Sequence, residues 1–124
     1  MKAHVILLVS RDPEVTRTVE DAVFNARHGF RHIAEREDAL RELSTGCEDI
    51  DLAILDLETG IHGLNLFNAA REHLPVLVLT QRNAEDMERI LLRHGASGCL
   101  TKPFTEAELN AAIRRLLVPK AAVA

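Results

Sequence analysis

Asp56, Thr80 and Lys102 are the residues of this chain whose types and placement suggest one shared chemical task. Each comes after a short apolar run: Leu52-Ala53-Ile54-Leu55 leads into Asp56, Val76-Leu77-Val78-Leu79 into Thr80, and Gly98-Cys99-Leu100, by way of Thr101, into Lys102-Pro103. A carboxylate can attack a phosphoryl group and hold it as an acyl phosphate. A hydroxyl and an ammonium are the donors that the oxygens of such a group require. Lysine is scarce here: Lys2, Lys102 and Lys120 are the only three, against twelve arginines. A further run, His4 to Val9, ends in Ser10-Arg11-Asp12.

These side chains can meet only if the apolar runs are neighbouring strands that point the same way. The pattern supports this. Runs without a polar member read as strands buried on both faces, as in parallel sheets. Between them lie helical stretches. Asp12-Pro13 opens the first, with the carboxylate as N-cap and Pro at the first helical position. Val15, Val19, Ala22, Val23 and Ala26 then form one inward face, and Gly29 ends it before a weak strand, Phe30 to Ala34. Ala39, Leu40 and Leu43 suggest a second helix stopped by Gly46; Leu64, Phe67 and Ala70 a third that ends at Pro75. A fourth is capped by Asn83, with Met87, Ile90, Leu91 and His94 as its inner stripe and Gly95 at its close. The fifth is the best specified: Thr105 and Glu108 have capping-box spacing, Phe104 can staple onto Leu109, and Leu109, Ala112, Ile113, Leu116 and Leu117 make its core stripe. Five strands alternating with five helices predict an α/β, doubly wound parallel sheet, with the strand-to-helix loops on one edge. Ligands of such folds gather at the carboxyl ends of the strands.

Composition narrows the class. The 124 residues fit one domain, placed at 1–118 with a short tail or linker start at 119–124. Cys47 and Cys99 form no CxxC or Cys/His cluster, so neither a disulfide scaffold nor a zinc module is expected. The net charge of −4 argues against direct nucleic-acid binding. The charge is uneven: residues 1–62 hold 7 basic and 13 acidic side chains, residues 63–124 hold 8 and 6. The apolar runs are too short to span a bilayer, and no leader precedes the first strand, so a cytoplasmic location is expected.

Over residues 4 to 118 the sequence resembles the receiver domain of two-component response regulators. The stretches that carry the resemblance are Val5 to Val9, Asp51 to Leu57, Pro75 to Thr80 and, most specifically, Gly95-Ala96-Ser97-Gly98-Cys99-Leu100-Thr101-Lys102-Pro103-Phe104. The resemblance implies a flavodoxin-like sheet of strand order 2-1-3-4-5 and a cis Lys102-Pro103 bond. It makes Asp56 the phosphoacceptor, Thr80 the switch hydroxyl and Lys102 the contact of the phosphoryl group. It also implies a histidine kinase or phosphotransfer protein as donor, and a downstream protein partner on the face of the fourth helix, fifth strand and fifth helix.

The sequence departs from the family's pattern in four places. Two adjacent acids normally follow the first strand and help to bind Mg²⁺; here Ser10 and Arg11 stand there, and Asp12 comes one residue later. Mg²⁺ takes oxygen ligands, usually one or two carboxylates with waters. Asp12, Asp56 and Glu58 are the carboxylates available, with Arg11 repelling the ion, so a weak or absent Mg²⁺ site is expected. Arg11 has two readings: a bidentate partner of Asp56 that substitutes for the metal's charge, or a solvent-facing side chain. The loop after Asp56 carries Gly60 and Gly63 and looks one residue short. Cys99 takes the place of the switch aromatic, and Gln81 that of a small residue beside the pocket.

Three functions compete. The first is an atypical receiver that accepts a phosphoryl group at Asp56 and acts through protein–protein interaction. The second is a degenerate receiver, folded and constitutively docking without phosphorylation. The third is a haloacid-dehalogenase-like phosphohydrolase, suggested by Asp56-Leu57-Glu58-Thr59. It lacks a later acidic pair for Mg²⁺ and room for a cap domain, so the chain is not expected to be an enzyme.

Overall fold

The computed structural model describes residues 4–45, 48–57, 61–81 and 85–117. Strands and helices alternate: β1 (Val5–Val9), α1 (Pro13–Asn25), β2 (Gly29–Ile33), α2 (Arg36–Ser44), β3 (Leu52–Asp56), α3 (Ile61–Arg71), β4 (Val76–Thr80), α4 (Glu85–Arg93), β5 (Gly98–Thr101) and α5 (Glu106–Leu116). All four strand pairings are parallel, in the order β2-β1-β3-β4-β5. The doubly wound, five-stranded sheet is therefore present as expected.

The period of two along each strand divides the core. Leu7, Val9, Ala53, Leu55, Val76 and Val78 point to one face, where Ala39, Leu43, Phe67, Ala70 and Leu91 cover them. Ile6, Leu8, Leu52, Ile54, Leu77 and Leu79 point to the other, under Val19, Ala22 and Val23 of α1 and Leu109, Ala112 and Ile113 of α5. Strands β1, β3 and β4 carry apolar residues at almost every position because helices cover both sides of them.

Helix boundaries follow local chemistry. Asp12 caps α1 by accepting from the Glu14 amide, with Pro13 at the first position. Thr105 and Glu108 form the full capping box of α5. Helix α1 stops at Asn25, earlier than the glycine suggests. Arg27 makes the left-handed turn at φ 62°, and Gly29 instead begins β2. A Cβ at Gly29 would lie 3.3 Å from Val5 Cγ2, so the glycine serves the close approach of β2 to β1.

The main revision concerns α4. Of its expected inner stripe, only Leu91 is buried; Met87, Ile90 and His94 are exposed, as is Leu92. The sheet ends at β5, so a helix over this edge has less surface to cover it than the helices over β1 and β3 have. Gly46, Cys47, Gly60, Asn83 and the tail boundary at 118 lie outside the described residues. No helix among the described residues is long and apolar enough to cross a membrane.

Candidate functional site

Parallel register brings the sequence candidates to one edge. Asp56, the last residue of β3, pairs with Leu79, which sets Thr80 one position beyond it on β4. Thr80 pairs with Thr101, so Lys102 follows at the end of β5, where its amide donates to the Thr80 carbonyl at 2.8 Å. The Lys102-Pro103 bond is cis.

The Asp56 side chain is 1 % exposed and that of Lys102 16 %. Lys102 Nζ lies 2.7 Å from Asp56 Oδ1. The contact is ionic, its angles are not those of a hydrogen bond, and Oδ1 accepts no other donor. The second oxygen, Oδ2, accepts from Ser10 Oγ at 2.8 Å. Ser10 Oγ in turn accepts from the Asp12 amide at 3.1 Å. Ser10 and Thr80, at 4 % and 3 % whole-residue exposure, are buried polar neighbours of this carboxylate. His32 at the end of β2 supports this loop, its Nε2–H donating to the Ser10 carbonyl at 2.8 Å. A groove of about 540 Å³ opens beside Lys102, lined by Asp12, Gln81, Pro103 and Phe104 among others. Gln81 thus borders the approach to the site, as its position suggests.

Two sequence candidates take other partners. Arg11 does not reach Asp56: its Nη2 pairs with Glu35 at 2.9 Å and its Nε donates to the Ala34 carbonyl at 3.4 Å. The reading of Arg11 as a substitute for the metal's charge is replaced by an exposed pair on the flank of the sheet. The cause is local, because Glu35 lies two residues past the end of β2, the neighbour of β1. Asp12 spends Oδ1 on the α1 cap. Glu58 lies outside the described residues.

Thr80 is adjacent to Asp56 but turned from it. Its hydroxyl donates to Glu88 Oε1 at 2.5 Å, and the same oxygen accepts from Thr101 Oγ1 at 2.8 Å. Cys99, on β5, has its thiol pushed up to about 11, mainly by burial and secondarily by the nearby Glu88 carboxylate. Glu88 and His32 were not legible as site residues. Each is one charged or polar residue in an element with several, and only the fold selects it.

The Mg²⁺ implied by the resemblance takes one or two carboxylates with waters, and the carboxylate oxygens must be free to reach it. Both Asp56 oxygens are contacted, Asp12 is partly committed to its helix, and the Ser10 hydroxyl serves two partners. No group of three His, Cys, Asp or Glu side chains that could hold a metal ion occurs among the described residues. The described donor set does not fit the ion.

Comparison with known proteins agrees with this geometry. The family described as response regulator receiver domain matches residues 6–114. The transcriptional regulatory protein CpxR of Escherichia coli (strain K12) is 35% identical over 116 residues, covering 90% of this chain and 48% of that protein. The uncharacterized transcriptional regulatory protein YrkP of Bacillus subtilis (strain 168) is 31% identical over 114 residues, with the same coverage of 90% and 48%. The chain thus spans about half the length of these curated relatives. A response regulator receiver domain protein from Clostridium thermocellum shares the fold, with a TM-score of 0.84 at 20% identity over 98% of this chain and 99% of that one. A sheet of order 2-1-3-4-5, a family match across nearly the whole chain and an acid, hydroxyl and lysine at one sheet edge lead to one conclusion: the chain belongs to the response regulator receiver domains of two-component signalling.

Proposed function

We propose that this receiver accepts a phosphoryl group at Asp56 and passes the signal on by protein–protein interaction. The observation that carries the reading is the buried carboxylate with Lys102 Nζ 2.7 Å from an oxygen that takes no hydrogen bond. Oδ1 accepts no hydrogen bond and faces the Lys102 ammonium, while Ser10 holds Oδ2 and so fixes the rotation of the carboxylate. Oδ1 forms the new O–P bond as the P–N bond of a donor phosphohistidine breaks, and the donor imidazole leaves with the electron pair. The Lys102 ammonium then offsets charge on the phosphoryl oxygens. The donor is a histidine kinase or phosphotransfer protein. The receiver is a switch rather than an enzyme with turnover of its own, and it works in the cytoplasm without touching nucleic acid or membrane directly.

The downstream protein partner docks on α4, β5 and α5. Exposed Met87, Ile90 and Leu92 supply apolar contact there, with Arg114 and Arg115 on α5 contributing positive charge. The receiver is atypical in having Ser10 and Arg11 where acids would assist a metal.

The test is intact-mass measurement after incubation with a small phosphodonor, with and without Mg²⁺. A gain of one phosphoryl in the native chain, absent in Asp56→Ala, is expected. No gain under either condition overturns the reading in favour of a degenerate receiver that docks constitutively. That second reading is favoured by one observation: Ser10 and Lys102 already satisfy the charge of Asp56 without a metal.

A further inference from the structure

Helix α4 buries fewer residues than α1, α2 or α5. Leu91 is its one buried residue, while Met87, Ile90 and Leu92 are exposed. Against this thin apolar contact stands one polar anchor. Glu88 Oε1 receives the hydroxyls of Thr80 from β4 and Thr101 from β5, at 2.5 and 2.8 Å. Hydrogen bonds to an ionised carboxylate are about twice as strong as neutral ones, and the shorter of these is in the range for that kind. Thr80 is 3% exposed, so its partner is not readily exchanged for water.

A threonine hydroxyl carries a single proton and can donate to one acceptor at a time. While that proton is on Glu88 it cannot serve an acceptor at Asp56, one register position away on β3. We propose that Glu88 is a latch: its carboxylate holds Thr80 turned away from Asp56 and, through the same bonds, holds α4 onto β4 and β5. Glu88 lies close enough to Cys99 for its charge to raise that thiol, so the latch occupies the neighbourhood of the position where an aromatic switch residue is missing. It gives the chain a polar connection between the edge of the site and α4.

The latch rests on geometry alone, and its signalling use rests on the reading of Asp56 as phosphoacceptor. In the phosphorylated state, oxygens at Asp56 compete for the Thr80 proton, Glu88 keeps only Thr101, and α4 loosens. The anchor and its use are separable by experiment.

Amide hydrogen exchange across Glu85–Arg93 reads the anchor directly in the full chain. Glu88→Ala is expected to speed α4 exchange by about tenfold or more, because a charged hydrogen bond is lost at each threonine. Glu88→Gln retains a carbonyl acceptor and should remain nearer the native rate than Glu88→Ala. Thr80→Val should speed α4 exchange in the native background and have little further effect in Glu88→Ala. Unchanged exchange in Glu88→Ala overturns the latch, and so does a Thr80→Val effect equally large in both backgrounds. A second arm measures exchange after phosphodonor treatment, with intact mass as control. Where the mass rises, α4 exchange should rise in the native chain and not further in Glu88→Ala; a rise of the same size in both overturns the competition for Thr80. Absence of a mass gain overturns the phosphoacceptor reading and its signalling use, and the anchor is then decided by the unphosphorylated variants.

Discussion

Lys102 Nζ lies 2.7 Å from Asp56 Oδ1, and the carboxylate it faces is almost wholly removed from solvent. A buried ion pair contributes little compared with an apolar pair of the same shape, yet losing one partner is costly because the other remains charged and unpaired.

Lys102→Met should therefore lower unfolding free energy at neutral pH by about 3–5 kcal/mol, measured by urea denaturation. The double variant Lys102→Met/Asp56→Leu should recover most of that loss. A double variant as unstable as the single one would show that the ammonium acts through packing rather than by offsetting the carboxylate.

Metal affinity should depend on the two residues after β1. The native chain is expected to show no Mg²⁺ binding by calorimetry at millimolar ion, and Ser10→Asp/Arg11→Asp should bind it. The double variant replaces the hydroxyl that occupies Oδ2 with a carboxylate, places a second carboxylate at the next position, and removes a cation. Binding by the native chain would mean that oxygens outside the described residues, Glu58 among them, complete the site.

Stability should fall at both ends of the pH range, for different reasons. Burial and the Glu88 charge raise the Cys99 thiol to about 11 from 9.0, so the unfolded chain releases this proton first as pH rises. The associated stability is complete below pH 9.0 and is lost on the way to about 11. His28 is shifted the other way, below 6.5, by burial and by His4, with Asp51 opposing. Its contribution is present above pH 6.5 and is lost as pH falls through its lowered value. Cys99→Ala should flatten the alkaline limb of a urea-midpoint profile against pH, and His28→Gln the acid limb. Profiles parallel to that of the native chain would exclude these groups as the cause.

Much of the fold was legible because its signals are local. Apolar runs without polar members marked the buried strands, Asp12-Pro13 and Thr105-Glu108 marked helix starts, and each feature is present. The strand ends named Asp56, Thr80 and Lys102, since parallel crossovers leave no other edge for them. The inner stripe of α4 was misread for a physical reason: periodicity shows which residues share a face, but not whether the sheet extends far enough to cover it.

The sequence by itself determined the parallel sheet and the edge at which an acid, a hydroxyl and an ammonium meet, because hydrophobic period and capping chemistry act over a few residues; the strand order came from the family resemblance. It also determined that Ser10 and Arg11 stand where carboxylates would assist a metal. Only the tertiary structure decided their partners. Arg11 pairs with Glu35, Ser10 closes on Asp56, and Thr80 gives its proton to Glu88. These choices join residues on different strands and helices, and each polar side chain takes the nearest partner that the packed backbone leaves within hydrogen-bonding reach.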